Sequence, residues 1–394
     1  MMDAKDPAAS ALARAGELVD DLEFRHVRAW KAAHPGALAV AHLPIYVPRP
    51  LFEAMGCLPV ALFGGGDQVD VVRGDSFFQS YICHLPRSTV ELGLRGSLDD
   101  FDAFVFPSTC DVIRNLSGMW KMLFPTKAVA YLDMPQNFSS DLGGRFYAGE
   151  LRRVAAMLVS SGAKPLTNEA LFEAIARENE RQALVDELQA LRTKEPWRVR
   201  ASEAYLAVRA GTLIPATDHA ALLRDLLAGF RERPSRAYDN ARVVVVGSFC
   251  EQPPFGLIRT LEQSGCDIVS DDFQLGLTAV RGQIAPREGE DPLDALVRAF
   301  LVQGTPTACR YIGSAPKGEA LVSQVRDRRA DGVVFLAASF CDPALLDQPM
   351  LEKALDAAQV PYTSVKFSEN TAQFQPVREQ AGAFSDSLKL WGGR

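Results

Sequence analysis

What this sequence lacks narrows its chemistry before any motif is read. Its 394 residues contain seven cysteines, at 57, 83, 110, 250, 266, 309 and 341, and no two of them form a Cys-x-x-Cys pair. Zinc ribbons, thioredoxin-type dithiols and ferredoxin-type cluster loops are thereby excluded, so any metal site must be gathered from distant parts of the chain. No Gly-Lys-Ser/Thr follows Gly64-Gly65-Gly66, which therefore reads as a tight turn and not a phosphate loop. There is no Gly-x-Ser-x-Gly elbow either, which removes the common serine-hydrolase arrangement. No apolar run reaches the roughly 20 residues that span a bilayer. The formal net charge of −7 leaves no overall basic character for nucleic acid, although a local basic pocket for a phosphorylated ligand stays open. The start, Met1-Met2-Asp3-Ala4-Lys5-Asp6-Pro7, has neither the basic opening nor the apolar centre of a secretion signal. The expectation is a cytoplasmic protein, in a reducing milieu where an odd number of cysteines builds no disulfide framework.

One stretch organises what is present. Asp100-Phe101-Asp102-Ala103-Phe104-Val105-Phe106-Pro107-Ser108-Thr109-Cys110-Asp111 reads as a buried strand that stops abruptly, then a cysteine, then a helix. A near copy, Asp331-Gly332-Val333-Val334-Phe335-Leu336-Ala337-Ala338-Ser339-Phe340-Cys341-Asp342, lies far downstream. Each apolar run is too brief for a helix and too continuous for a half-exposed strand, the pattern of a parallel strand covered on both faces. Phe104/Phe335, Cys110/Cys341, Asp111/Asp342 and Tyr131/Tyr362 share one offset, 231 residues. Two thiols thus fall at matching strand ends, where open α/β sheets hold their ligands.

The surrounding pattern is α/β, with two similar lobes, each an open, mostly parallel four-stranded sheet with flanking helices. Residues 1–36 read as an N-terminal helical segment, with one helix over 8–34. Residues 37–150 form the first lobe, with strands at about 37–43, 57–63, the opening motif and 128–132, and a helix over 112–123. Residues 151–238, rich in Ala, Leu, Glu and Arg, read as a helical link with patterns over 151–158, 169–191 and 201–230. Residues 239–394 repeat the first lobe and end in a helical tail. Ser264-Gly265-Cys266-Asp267-Ile268-Val269 matches Met55-Gly56-Cys57-Leu58-Pro59-Val60 at an offset of 209. The second lobe is 22 residues longer between its paired cysteines, 75 against 53. That insert holds Asp271-Asp272, Cys309 and Arg310. Two such units facing each other bring their strand ends to a common cleft.

Several side chains in this frame could carry chemistry. Cys110 and Cys341 gain weight from the repeat; taken alone, each reads as a buried thiol packing like a small hydrophobe. Cys83 lies in a polar loop beside His84, where packing is a less natural role. Three thiolates in one reduced cleft suit iron–sulfur ligation, because soft sulfur ligands favour such clusters. The spacing 83, 110, 341 matches no local cluster motif. Cys57 and Cys266 precede strands away from the cleft and read as core. Cys250 could face the cleft or pack, and Cys309 reads as packing. Of five histidines, His42 and His84 alone fall near strand ends. For His84 the alternatives are a proton donor and a hydrogen-bonded loop residue. Arg87, Arg114 and Asn115 could hold anionic groups or serve as solvated structural residues.

Gln79-Ser80-Tyr81-Ile82-Cys83, Pro107-Ser108-Thr109-Cys110-Asp111, Phe340-Cys341-Asp342-Pro343 and Gly265-Cys266-Asp267-Ile268-Val269-Ser270-Asp271-Asp272 form a specific set. Together they resemble the family of 2-hydroxyacyl-CoA dehydratases and benzoyl-CoA reductases, over nearly the whole chain beyond about residue 35. Within it the sequence looks most like the smaller catalytic subunit of an ATP-dependent benzoyl-CoA reductase. The resemblance implies a 4Fe–4S cluster held by Cys83, Cys110 and Cys341, with one position lacking a protein ligand. It also implies a homologous larger catalytic subunit, a two-subunit ATPase that injects electrons, reduced ferredoxin as donor, and an acyl-CoA substrate. The implied reaction is two-electron reduction of the aromatic ring to a cyclic dienoyl-CoA, with His84 as candidate proton source. A radical 2-hydroxyacyl-CoA dehydratase subunit and a non-catalytic electron-transfer subunit are the rival readings.

Overall fold

The computed structural model describes residues 6–234, 236–248, 253–273, 279–307, 317–368 and 374–391. The chain opens with α1 (Ala9–Asp20) and α2 (Arg25–Ala33) where a single helix is expected. Phe24 takes a left-handed backbone, φ +49°. The Asp21 carboxylate accepts from the Arg25 amide at 2.7 Å, so one helix stops and the next restarts on an acidic cap.

The first lobe follows as β1 (Ala39–His42), α3 (Arg49–Ala54), β2 (Leu58–Ala61), α4 (His84–Arg95), β3 (Ala103–Pro107), α5 (Asp111–Leu123) and β4 (Ala128–Leu132). The helical layer is α6 (Arg145–Ser160), α7 (Asn168–Lys194), α8 (Ala201–Ala210) and α9 (Ala216–Glu232), and among the described residues it contains no strand. The helix expected over 201–230 divides at Pro215, which cannot continue it. The second lobe is β5 (Ala241–Val246), α10 (Phe255–Gln263), β6 (Cys266–Asp271), α11 (Pro292–Gln303), α12 (Glu319–Asp327), β7 (Gly332–Ala338), α13 (Asp342–Ala357), β8 (Tyr362–Phe367) and α14 (Gln375–Trp391).

Both sheets are parallel throughout and share one order, β2-β1-β3-β4 and β6-β5-β7-β8. The repeat extends to single hydrogen bonds. Asp102, just before β3, accepts the Ala39 amide at 2.8 Å, and Asp331, just before β7, accepts the Arg242 amide at 2.8 Å. In return the Asp102 and Asp331 amides donate to the carbonyls of Ala39 and Arg242. The entries of β3 and β7 thus correspond at 229 residues and their exits at 231, because β7 is seven residues long and β3 five. Tyr131 and Tyr362, which share the exit offset, are not equivalent. Tyr131 pairs with Phe106 near the end of β3, whereas Tyr362 pairs with Val333 near the start of β7.

One apolar core runs from Val40 and Tyr147 in the first half to Val243, Phe300 and Leu336 in the second. Polar groups tie the halves together as well. The Tyr46 hydroxyl reaches the Thr305 carbonyl at 3.1 Å and the Thr307 hydroxyl at 2.6 Å. Among the described residues no helix is long and apolar enough to cross a membrane.

Arg49 joins the first lobe to the helical layer. Buried, it donates to the carbonyls of Pro59 and Thr212 at 3.0 Å and of Ile214 at 2.8 Å, with Glu53 at 3.8 Å. Arg49→Met leaves those acceptors without a donor and Glu53 without its cation. We expect urea unfolding to show a loss of about 3–5 kcal/mol. Arg14→Met, which breaks the exposed pair with Asp225, should change stability by under about 1 kcal/mol. Equal effects of the two would contradict the structural role of Arg49.

Candidate functional site

In each sheet the chain moves from the first strand to an outer neighbour, then crosses back to the other side. The reversal lies between β1 and β3, and again between β5 and β7. Crevices for ligands open at the carboxyl ends of strands flanking such a reversal. Cys110 comes three residues after β3 and Cys341 three after β7, and each is the residue that caps the next helix, α5 or α13. Acidic Asp111 and Asp342 sit in the first turns, and Pro343 pre-sets the start of α13.

Cys83 has the same local setting, capping α4. The polar loop expected around it gives way to helix at His84, and Pro86 falls in the first turn, where a missing N–H is harmless. Gly64, just beyond β2, has φ +67°, and a Cβ there would stand 2.2 Å from Ser88 Oγ of α4. The start of α4 therefore packs on the exit of β2, which puts Cys83 on the carboxyl edge of the sheet that Cys110 also occupies. All three cysteines thus stand at the start of a helix.

The neighbouring cations divide by geometry. Arg87 is paired with Asp75 at 2.7 Å and Arg114 lies over the Tyr131 ring at 5.7 Å, so both have structural work; Asn115 is exposed. His84 is 3 % exposed and begins α4, next to Cys83. Phe340, directly before Cys341, is half exposed with φ +66°. A left-handed aromatic residue is a backbone outlier of the kind that gathers at functional sites.

Two titratable groups, the buried His42 and the half-buried Asp272, act at the strand exits of the reversal points. His42 ends β1, with Nδ1 2.9 Å from the Leu43 carbonyl. Burial and the nearby Arg49 guanidinium push its pKa down to about 3, despite that carbonyl, so its imidazole stays neutral. Asp272 follows β6 and accepts the Gly247 amide at 2.6 Å and the Ser248 amide at 3.0 Å. Burial pushes its pKa up to about 7 against those two bonds. Its neighbour Asp271 forms a buried ion pair with Arg192 of α7. The doubled aspartate of the sequence is thus a structural brace, a role its position in an insert did not reveal.

Cys57 and Cys266 are buried, and burial pushes both thiols up to about 12, in keeping with core packing. Cys250, Cys309 and Arg310 lie outside the described residues. Among the described residues no three or more His, Cys, Asp or Glu side chains are grouped to hold a metal ion.

Residues 44–388 match the family described as 2-hydroxyglutaryl-CoA dehydratase, D-component. A benzoyl-CoA reductase subunit of Thauera aromatica is 46 % identical over 97 % of this chain and 99 % of its own. The beta subunit of (R)-2-hydroxyglutaryl-CoA dehydratase from Acidaminococcus fermentans is 26 % identical over 90 % of this chain and 93 % of its own. The (R)-phenyllactyl-CoA dehydratase beta subunit of Clostridium sporogenes is 23 % identical over 90 % and 92 %.

His42 and Asp272 should act on stability in opposite directions. The fold holds His42 neutral, lowering its pKa from 6.5 to about 3, so its contribution is complete above pH 6.5 and is lost as pH falls. The fold also holds Asp272 neutral, raising its pKa from 3.8 to about 7, so its contribution is complete below 3.8 and is lost as pH rises. Each slope is at most about 1.4 kcal/mol per pH unit, and between these limits they offset. Relative to the parent, the urea midpoint of Asp272→Asn should fall as pH is lowered from 6.5 to 4.5. That of His42→Gln should fall as pH is raised over the same interval. Profiles parallel to the parent in both variants would refute the neutral assignments.

Proposed function

Because this chain belongs to the 2-hydroxyglutaryl-CoA dehydratase, D-component, family, we propose that it is a subunit of a benzoyl-CoA reductase. Such an oxidoreductase adds two electrons and two protons to the aromatic ring of benzoyl-CoA, or of a substituted benzoyl-CoA, and leaves a cyclohexadienoyl-CoA. The observation that carries this reading is 46 % identity to a benzoyl-CoA reductase subunit across nearly the full length of both chains. The dehydratase subunits stand at 23–26 %, which makes elimination of a hydroxyl from a 2-hydroxyacyl-CoA the second reading. The relatives are named as subunits, in accord with a chain that works inside a larger assembly.

In our reading Cys83, Cys110 and Cys341 hold a 4Fe–4S cluster with one position free of protein ligand. Support comes from their shared setting: soft sulfur donors, each at a helix start whose amides stabilise thiolate and offset the anionic charge of the sulfurs. When bound, such a cluster supplies single electrons at low potential. The task of this chain is to hold the thiolates deprotonated, to keep water from the reduced ring and to bring a proton. His84, buried beside Cys83, is the proposed donor at a ring nitrogen. Phe340 adds apolar bulk beside Cys341. A homologous larger catalytic subunit shares the work, and a two-subunit ATPase fed by reduced ferredoxin delivers the electrons. ATP hydrolysis belongs to those partners, since this sequence has no phosphate-loop motif. The cytoplasm is the proposed compartment.

Anaerobically purified Cys83→Ser, Cys110→Ser and Cys341→Ser variants should each lose iron and sulfide, whereas Cys57→Ser and Cys266→Ser should retain them. Equal iron in all five would refute the ligand assignment. The complete complex should reduce benzoyl-CoA with ATP and reduced ferredoxin and leave an (R)-2-hydroxyacyl-CoA intact; the reverse outcome would establish the dehydratase reading. In the same assay His84→Gln should slow ring reduction by about 10²-fold with iron content unchanged, and unaltered turnover would remove His84 from the proton path.

A further inference from the structure

The edge of the first sheet opposite the thiols also carries a cavity. About 600 Å³ in volume, it opens where the chain enters β1 and β2, between the turn after α6 and the start of α9. Strands at roughly 3.3 Å per residue, with their turns, separate it from the carboxyl edge. A ligand seated there stands apart from the proposed reaction.

Its volume falls in the range of small-molecule sites, about 300–1,000 Å³, and its lining has three kinds of group. Trp30 and His34 supply an aromatic platform, their rings stacked 4.4 Å apart at 19°. Lys164 and Arg177 supply positive charge. The stem of Lys164 lies along Gly56, where a Cβ would come within 3.3 Å of its Cδ. Among the described residues its ammonium has no carboxylate partner, and Arg177 pairs with the exposed Glu173 at 3.8 Å and also lies within electrostatic reach of Glu53. The first-turn amides of α9 add positive potential, and only that of Ala216 is taken, by Glu53 at 3.1 Å. Glu53 in turn faces Arg49 at 3.8 Å, so its charge is already countered. Asp218, exposed at the rim, is the remaining carboxylate.

An aromatic face, two cations beside helix amides and one carboxylate match the base, the phosphate and the ribose hydroxyls of a nucleotide. We propose that this cavity binds a purine nucleoside monophosphate, with the base against the Trp30–His34 stack, the phosphate between Lys164, Arg177 and the start of α9, and Asp218 accepting from the ribose. A dianionic phosphate engages both cations, and the volume admits base and sugar together, which a lone phosphate or a benzoate would leave largely unfilled. This inference does not depend on the reaction proposed above.

Calorimetric titration of the full-length chain with AMP tests it. Saturable one-to-one binding is expected, with Lys164→Ala, Arg177→Ala and Trp30→Leu each weakening affinity by roughly tenfold or more and Trp30→Phe largely preserving it. Unchanged iron content and far-ultraviolet circular dichroism in these variants separate a lost site from a lost fold. Inorganic phosphate and adenosine alone should each bind far more weakly than AMP. Coenzyme A carries the same adenosine phosphate chemistry. Its displacing AMP would assign the site to the coenzyme tail, and its failure to do so would assign it to the free nucleotide. Absence of saturable binding at millimolar AMP, or equal affinity in the parent, Lys164→Ala, Arg177→Ala and Trp30→Leu, would overturn the proposal.

Discussion

Both halves of this protein are set by one reciprocal clamp, an aspartate at the mouth of a central strand bonded to a backbone amide at the entry of its neighbour. Asp102 with Ala39, and Asp331 with Arg242, fix the pairing of β3 on β1 and of β7 on β5. A slip of one residue would exchange the faces of a strand. Here both faces are buried, so the apolar pattern alone does not choose the register and the clamp does. Once the entry is fixed, strand length decides where the exit falls. The two extra residues of β7 are absorbed within the strand, and the cysteine still follows three residues after its end. The placement of Cys110 and Cys341 is a consequence of register and length and needs no contact between them.

That logic explains which parts were legible in the sequence. The continuous apolar runs at 103–107 and 332–338 stood out because a parallel strand buried on both faces tolerates little else. The parallel four-stranded sheets and the helical layer followed from alternation of such runs with helical periodicity. The breaks at Phe24 and Pro215 were harder to see. At the first, helical spacing continues on both sides of a left-handed residue; at the second, a proline at a helix start looks like one inside a longer helix. Tyr131 and Tyr362 matched in number but not in space, because sequence offsets do not register where β8 begins relative to β7.

The candidate site was legible to a different degree. Cys83, Cys110 and Cys341 could be selected by strand ends and motif, but their common capping position emerges only in three dimensions. Asp272 shows the limit more sharply. It sits beyond β6 and acts on the exit of β5, a contact 24 or 25 residues away that no local pattern encodes. His42 was visible as a histidine near a strand end, yet its chemistry is decided by Arg49 and by burial, neither of which spacing reveals.

The two halves diverge most at the reversal points. Ala41 lies beside Phe104 and Val246 beside Phe335, so the next residues, His42 and Gly247, are equivalent. One half places a buried neutral imidazole there. The other places a glycine at φ +105°, whose amide is taken by the carboxyl of Asp272. These are different answers to the same need, closing the end of a strand without burying a charge that lacks compensation. The thiol three residues past the central strand and the aspartate after it are present in both halves. Packing would accept many residues at a helix cap, and serine, threonine or aspartate cap better than cysteine. A cysteine stands at that cap in both halves, and again before α4, although helix capping alone would favour those residues over it.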